Sequence, residues 1–128
     1  MDRGAEVVIV VAGSGDIRWV RESADPVAAR AKVRRAVRRL VEDLQDVCAV
    51  WPTVPEQGGA GERSTARVIN EELGVAATDP QFRAPSWADR AATHPGWFIG
   101  DGVHLSPTGE AALQETLLTA ARRCVEGR

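Results

Sequence analysis

The sequence predicts an α/β fold: a short parallel sheet covered by helices on both faces, in three α/β/α layers. Three observations predict it. Apolar β-branched runs alternate with long stretches of helical periodicity. The first run, Val7-Val8-Ile9-Val10-Val11, has no polar face. A run of that kind reads as a strand buried on both sides of a parallel sheet. Finally, the 128 residues, 44% of them apolar, suffice for one domain with a core, spanning 1–128.

The elements follow in order. Glu6 to Ala12 reads as the first strand, closed by Gly13-Ser14-Gly15-Asp16. Pro26 opens a long helix in which Val33, Val37, Leu40, Leu44 and Val47 recur at three- and four-residue steps. Arg30, Lys32, Arg34, Arg35, Arg38 and Arg39 crowd its first half and read as a solvated face, or as a contact for an acidic partner. Cys48 to Trp51 reads as the second strand, ended by Pro52 and Pro55. Ser64 to Leu73 reads as a short helix stopped by Gly74, and Val75 to Thr78 as a weak third strand. Ser86-Trp87-Ala88-Asp89 has capping-box spacing and starts another short helix, ended by Pro95-Gly96. Ser106-Pro107 caps and starts the last helix, which runs to about Arg123 with Leu113, Leu117, Ala121 and Cys124 on one face.

Charge and cysteine content exclude several classes of function. The net charge of −2 gives no general attraction to nucleic acid or to membrane surfaces. No run is long enough to span a bilayer, and nothing at the N-terminus reads as an export signal, so a cytoplasmic protein is expected. Cys48 and Cys124 are too few and too distant to suggest a metal site or a disulfide framework; they read as buried thiols. Neither a metal nor a cofactor is expected.

The chemistry concentrates in Gly100-Asp101-Gly102-Val103-His104-Leu105-Ser106-Pro107. A carboxylate three residues before an imidazole can hold one ring nitrogen and leave the other as a general base. An isolated D-x-x-H more often only shapes a turn. Here the context adds weight, because the strand ending in Gly13-Ser14-Gly15-Asp16 delivers a second polar loop to the C-terminal edge of the sheet. Sites form at that edge in open α/β folds. Ser14 lies in a glycine-flanked turn that can expose its hydroxyl; the plainer role is a hydrogen bond to the loop backbone. His94 reads as structural. Trp87, Trp97 and Phe98 read as core or cleft wall, with Trp97 a candidate for acyl binding because it lies four residues before Asp101.

Taken together, these segments resemble the SGNH (GDSL-type) hydrolase superfamily. Val7–Asp16 resembles its third motif block, and Asp101–Pro107 its last block. The stretch from Trp87 through His94-Pro95-Gly96-Trp97-Phe98 to Asp101 is similar to the SGNH domains of peptidoglycan O-acetyltransferase-like proteins. The resemblance implies a flavodoxin-like, SGNH-type α/β/α fold with a shortened parallel sheet. It also implies that Asp101 orients His104, that His104 activates a serine, and that Gly13, Gly15 and Asp16 form the oxyanion loop. The substrate class implied is a small ester or acyl compound.

Two departures matter. The family's Gly-Asp-Ser nucleophile strand and its oxyanion-glycine block have no counterpart in this chain, and Gly15 stands where the oxyanion Asn is expected. The expected activity is therefore an esterase or acyltransferase-like half-site, complete only with another chain or a missing N-terminal segment. The alternatives are a non-hydrolytic binding or regulatory protein and an enzyme using His104 as a general acid/base without a serine. In the complete family fold the first strand lies mid-sheet. Its empty flank here predicts a homodimer, or a heteromer, through the first strand's edge.

Overall fold

The computed structural model describes residues 6–100 and 104–127. They form an α/β fold around a small parallel sheet. In chain order the elements are β1 (Val7–Ile9), α1 (Ser14–Glu22), α2 (Pro26–Asp43), β2 (Cys48–Val50), α3 (Ala60–Ala76), β3 (Phe82–Arg83), α4 (Trp87–Ala92), a single 3₁₀ turn (Pro95–Trp97) and α5 (Pro107–Glu126). The strand order is β1-β2-β3, with Val8 beside Ala49 and Ala49 beside Phe82.

Alternation of side chains along β2 sets the layers. Ala49 joins Val33 and Val37 of α2, Ile69 and Leu73 of α3, and Val20 of α1 in one buried cluster. Val50 points the other way and packs with Leu117 and Ala120 of α5. The central strand is sealed on both faces, and Cys48, Ala49 and Val50 have no exposed surface. Trp51, next along the chain, is buried, and its indole Nε1–H donates to the Ala12 carbonyl at 3.2 Å. That bond fixes the exit of β1 against the exit of β2.

β1 corrects the expectation of a strand buried on both faces. Val8 is 37% exposed, Ile9 44% and Val11 62%. The reason is position: among the described residues β1 has a neighbour on one side only. Val10 donates its N–H to the Val50 carbonyl at 2.8 Å. Backbone groups alternate sides along a strand, so the peptide groups of Ile9 and Val11 face the open edge.

Three further differences have local causes. Gly13–Asp16 is not only a loop, because α1 begins at Ser14. The helix α3 extends past both expected ends, and Val75 to Thr78 is its last turn and exit rather than a strand. Glu62 stabilises the start by accepting the Gly59 N–H at 3.4 Å. Gly74 has nothing within 4 Å of its would-be Cβ and no positive φ, so it does not interrupt the helix. The third strand falls instead at Phe82–Arg83. Ser86 occupies the N-cap position of α4 without a side-chain capping bond; the Ala88 N–H is taken by Thr53 Oγ1 at 2.9 Å.

The cysteines are also corrected. Cys48 and Cys124 form a disulfide with Cα atoms 5.9 Å apart, tying the start of β2 to the last turns of α5. They lie 76 positions apart in sequence, and only the fold brings them together. The arginine-rich face of α2 is not simply solvated. Arg34 and Arg38 each place a guanidinium nitrogen 2.8 Å from the buried Glu72 carboxylate of α3, and Arg34 also reaches Glu71. Arg30, Arg34 and Arg38 of this cluster join α2 to α3, while Lys32, Arg35 and Arg39 are exposed. Among the described residues no helix is long and apolar enough to cross a membrane.

Candidate functional site

The site is built at the ends of β1 and β2. After β1 the chain turns at Gly13, whose φ of 131° is open to glycine and strained for other residues. A Cβ there would lie 2.5 Å from Val54 Cγ2, so a side chain is excluded by contact as well. Val54 is itself clamped: its N–H donates to Asn70 Oδ1 at 2.7 Å, and its carbonyl accepts from Asn70 Nδ2 at 2.8 Å. Asn70 of α3 thus holds the wall against which the Gly13 turn packs.

The turn starts α1. Its first intrahelical bond runs from the Ile17 N–H to the Gly13 carbonyl at 3.0 Å. The N–H groups of Ser14, Gly15 and Asp16 belong to the first turn and have no partner within the helix. Among the described residues no side chain caps this end. Those groups and the helix dipole favour negative charge there.

The other wall comes from the C-terminal third of the chain. Phe98 and Leu105 form an isolated antiparallel bridge. Around it the Ile99 N–H donates to the His104 carbonyl at 2.9 Å, and the Ser106 N–H donates to the Trp97 carbonyl at 2.8 Å. Ser106 Oγ accepts the Gly109 N–H at 3.2 Å, which is the expected cap of α5. It also donates toward the Trp97 carbonyl at 3.1 Å. The backbone of His104 is therefore held on both sides, by Ile99 and by the capped helix two residues on.

Two neighbouring clefts, about 330 and 440 Å³, meet at this point. Ser14, Val54, Pro55, Phe98 and His104 line both. The smaller adds Gly13, Gly15, Trp87 and Glu110; the larger adds Arg18, Arg21 and Glu62. The structure thus brings together two of the residues singled out in sequence, Ser14 and His104, with the flanking glycines. Asp16, on the first turn of α1, lines neither cleft. Asp101 lies outside the described residues, and so does its expected hydrogen bond to His104.

Trp97 sits off the cleft lining. Its ring stacks between Trp87, at 5.6 Å, and His94, at 3.8 Å, with the Arg90 guanidinium 5.3 Å from its centre. His94 stacks on Trp97, and its Nδ1 lies 3.0 Å from the Arg90 carbonyl. Phe98 and Trp87 are the aromatics that line the smaller cleft. Sequence reasoning missed Asn70 and Glu110. Glu110 had a signal, an acid in the first turn after a clear N-cap. Asn70 had only its position beside the apolar face of α3.

Among the described residues no group of histidines, cysteines and acids is arranged to hold a metal ion. No family model matches the chain, and neither a curated protein nor a solved structure matches it.

Proposed function

We propose that this chain is an SGNH-type ester- or acyl-transfer domain in which His104 is the general base, Asp101 its orienting carboxylate, and the start of α1 the oxyanion-binding element. The observation that carries the reading is the shared cleft. Gly13, Ser14 and Gly15 at the start of α1 line one cleft with His104 where β1 and β2 end. A base beside fixed N–H donors is what acyl transfer requires. What supports the flavodoxin-like reading is the small parallel sheet of the described residues, with helices packed on it.

In this reading the nucleophile arrives on another polypeptide segment at the β1 edge, and the chain alone hydrolyses simple esters weakly or not at all. Assaying short-chain esters with the wild type, Ser14→Ala and His104→Ala tests it. Robust turnover that vanishes with Ser14→Ala makes Ser14 the nucleophile. Turnover that survives Ser14→Ala but not His104→Ala assigns a serine-independent general base. A second reading, a binding or regulatory module, is favoured by Gly15 standing where a side-chain oxyanion donor is expected.

We also propose that β1 pairs with a second copy of itself. The run Val7-Val8-Ile9-Val10-Val11 reads the same in both directions about Ile9. A two-fold antiparallel pairing centred on Ile9 sets Val7 opposite Val11 and Glu6 opposite Ala12, with no like charges facing. Such a dimer sends the two clefts to opposite ends and occupies the edge a nucleophile-bearing strand needs, so the two partners compete. The small acyl substrate and the cytoplasmic location also stand as proposals. The Cys48–Cys124 disulfide weighs against that location, because cytosolic thiols are kept reduced.

A further inference from the structure

A third cleft, about 480 Å³, shares no lining residue with the first two. It opens between β3, α4 and α5. Three guanidiniums, from Arg83, Arg90 and Arg123, line it against a single carboxylate, that of Glu115. Arg90 is already engaged: it donates to Thr116 Oγ1 at 2.7 Å and pairs with Glu115 at 3.2 Å. Arg83 and Arg123 form no ion pair among the described residues.

Arg83 is the unusual member. It sits beside Val50 in the sheet register, so its side chain leaves on the face covered by α5. Its Nε is fully buried and has no hydrogen-bond partner. A buried N–H of a permanent cation without an acceptor is costly, and native structures rarely leave one. Arg123 and Thr119 follow α5 at helical spacing onto the same cleft, while Phe82, Ala84 and Ala120 supply apolar surface.

We propose that this cleft binds a small organic oxyanion, a carboxylate or phosphate on a short carbon skeleton. The forked donors of Arg83 take the anion, Arg123 supplies the second charge, and the apolar wall covers the skeleton. A guanidinium fork matches both oxyanions in a two-bond geometry. The inference is independent of the chemistry proposed for Ser14 and His104.

The test is an NMR titration of the intact chain with inorganic phosphate and, separately, with propionate, observing backbone amides and arginine Nε–H signals. The expected result is a saturable shift of the Arg83 Nε–H signal with at least one probe. The arm that saturates at lower concentration names the anion. Arg123→Gln and Arg83→Lys should each weaken binding by about tenfold or more, since each removes a charge or a forked donor. Arg35→Gln, on the exposed face of α2, should not change it. No saturation up to about 50 mM of either probe, the range of the weakest specific sites, overturns the proposal. So do equal shifts with sodium chloride at matched ionic strength, or undiminished binding in Arg123→Gln.

Discussion

Replacing Gly109 by alanine should destabilise the protein, although alanine is the better helix former. Gly109 is the third residue of α5 and is buried. A Cβ at this position would run into the Trp97 carbonyl, with the Trp97 carbonyl carbon and Cβ each at 3.0 Å. That carbonyl cannot simply retreat, because it accepts from both the N–H and the Oγ–H of Ser106. The intrinsic gain of Gly→Ala in a helix is about 1 kcal/mol. Against it stand an overpacking cost of roughly 1–3 kcal/mol and about 1 kcal/mol for each hydrogen bond lost. The net is a loss of about 1–3 kcal/mol. Gly74→Ala is the control, since nothing lies within 4 Å of its Cβ and it is exposed in α3. It should stabilise by about 0.5–1 kcal/mol. Urea unfolding followed by circular dichroism should therefore move the two midpoints in opposite directions, separated by on the order of 1 M. If both variants shift upward together, α5 does not start against Trp97. The cap of α5 then does not position His104.

Other perturbations address different contacts. Glu72→Gln should cost about 1–3 kcal/mol in urea melts, since it weakens charge-assisted bonds to Arg34 and Arg38 at a buried carboxylate. The hydrogen bond from Arg38 outweighs burial and holds the Glu72 carboxyl below the usual range. Its stabilisation is therefore complete above that range and lost as pH falls through the depressed native value. The wild type should lose stability in that acid window more steeply than Glu72→Gln, and parallel curves would contradict the assignment. Reducing the Cys48–Cys124 bond, which closes a loop of 76 residues, should cost on the order of 4 kcal/mol. A thermal melt unchanged by reductant would show that the bond does not form in solution. Ile9→Lys introduces a charge at an exposed edge position and should leave a folded monomer by light scattering; a persistent dimer would place the contact elsewhere. Asn70→Ala should release Val54 and broaden the NMR signals of Gly13 and Ser14, whereas sharp, unshifted signals would remove Asn70 from the support of the site.

How much of this was legible in the sequence depended on whether a signal was local. The long helices were, because Pro26 and Ser106-Pro107 mark their starts and the apolar period marks their buried faces. The α/β class was legible from the alternation of runs. The exposure of β1 was not: a run of β-branched residues looks the same in a central strand and at an edge, and only the pairing partners decide. The third strand was misplaced because Phe82–Arg83 is two residues long, shorter than any periodicity can register. The same limit hid the disulfide and the Arg34–Glu72–Arg38 pairing, since both join residues more than thirty positions apart. Of the site, the sequence placed the Ser14 loop at the C-terminal edge of the sheet, and only the family resemblance joined His104 to it. Asn70 acts only through Val54, and no local pattern points to it.

The indole of Trp51 has a practical consequence. The chain has four tryptophans and no tyrosine, so its ultraviolet emission comes from indoles alone. Trp19 is half in solvent, and Trp87 and Trp97 lie stacked with a 5° angle between their planes, an arrangement that favours mutual quenching. Trp51 is the buried indole outside that stack, and its Nε1–H ends on the Ala12 carbonyl, one residue before the Gly13 turn. A movement of that turn, on ligand entry or strand docking, loosens this bond and changes the polarity around the ring. The cleft thus carries its own optical probe. With Trp19→Phe removing the solvent-exposed background, stopped-flow fluorescence can follow events at Ser14 in real time without a label.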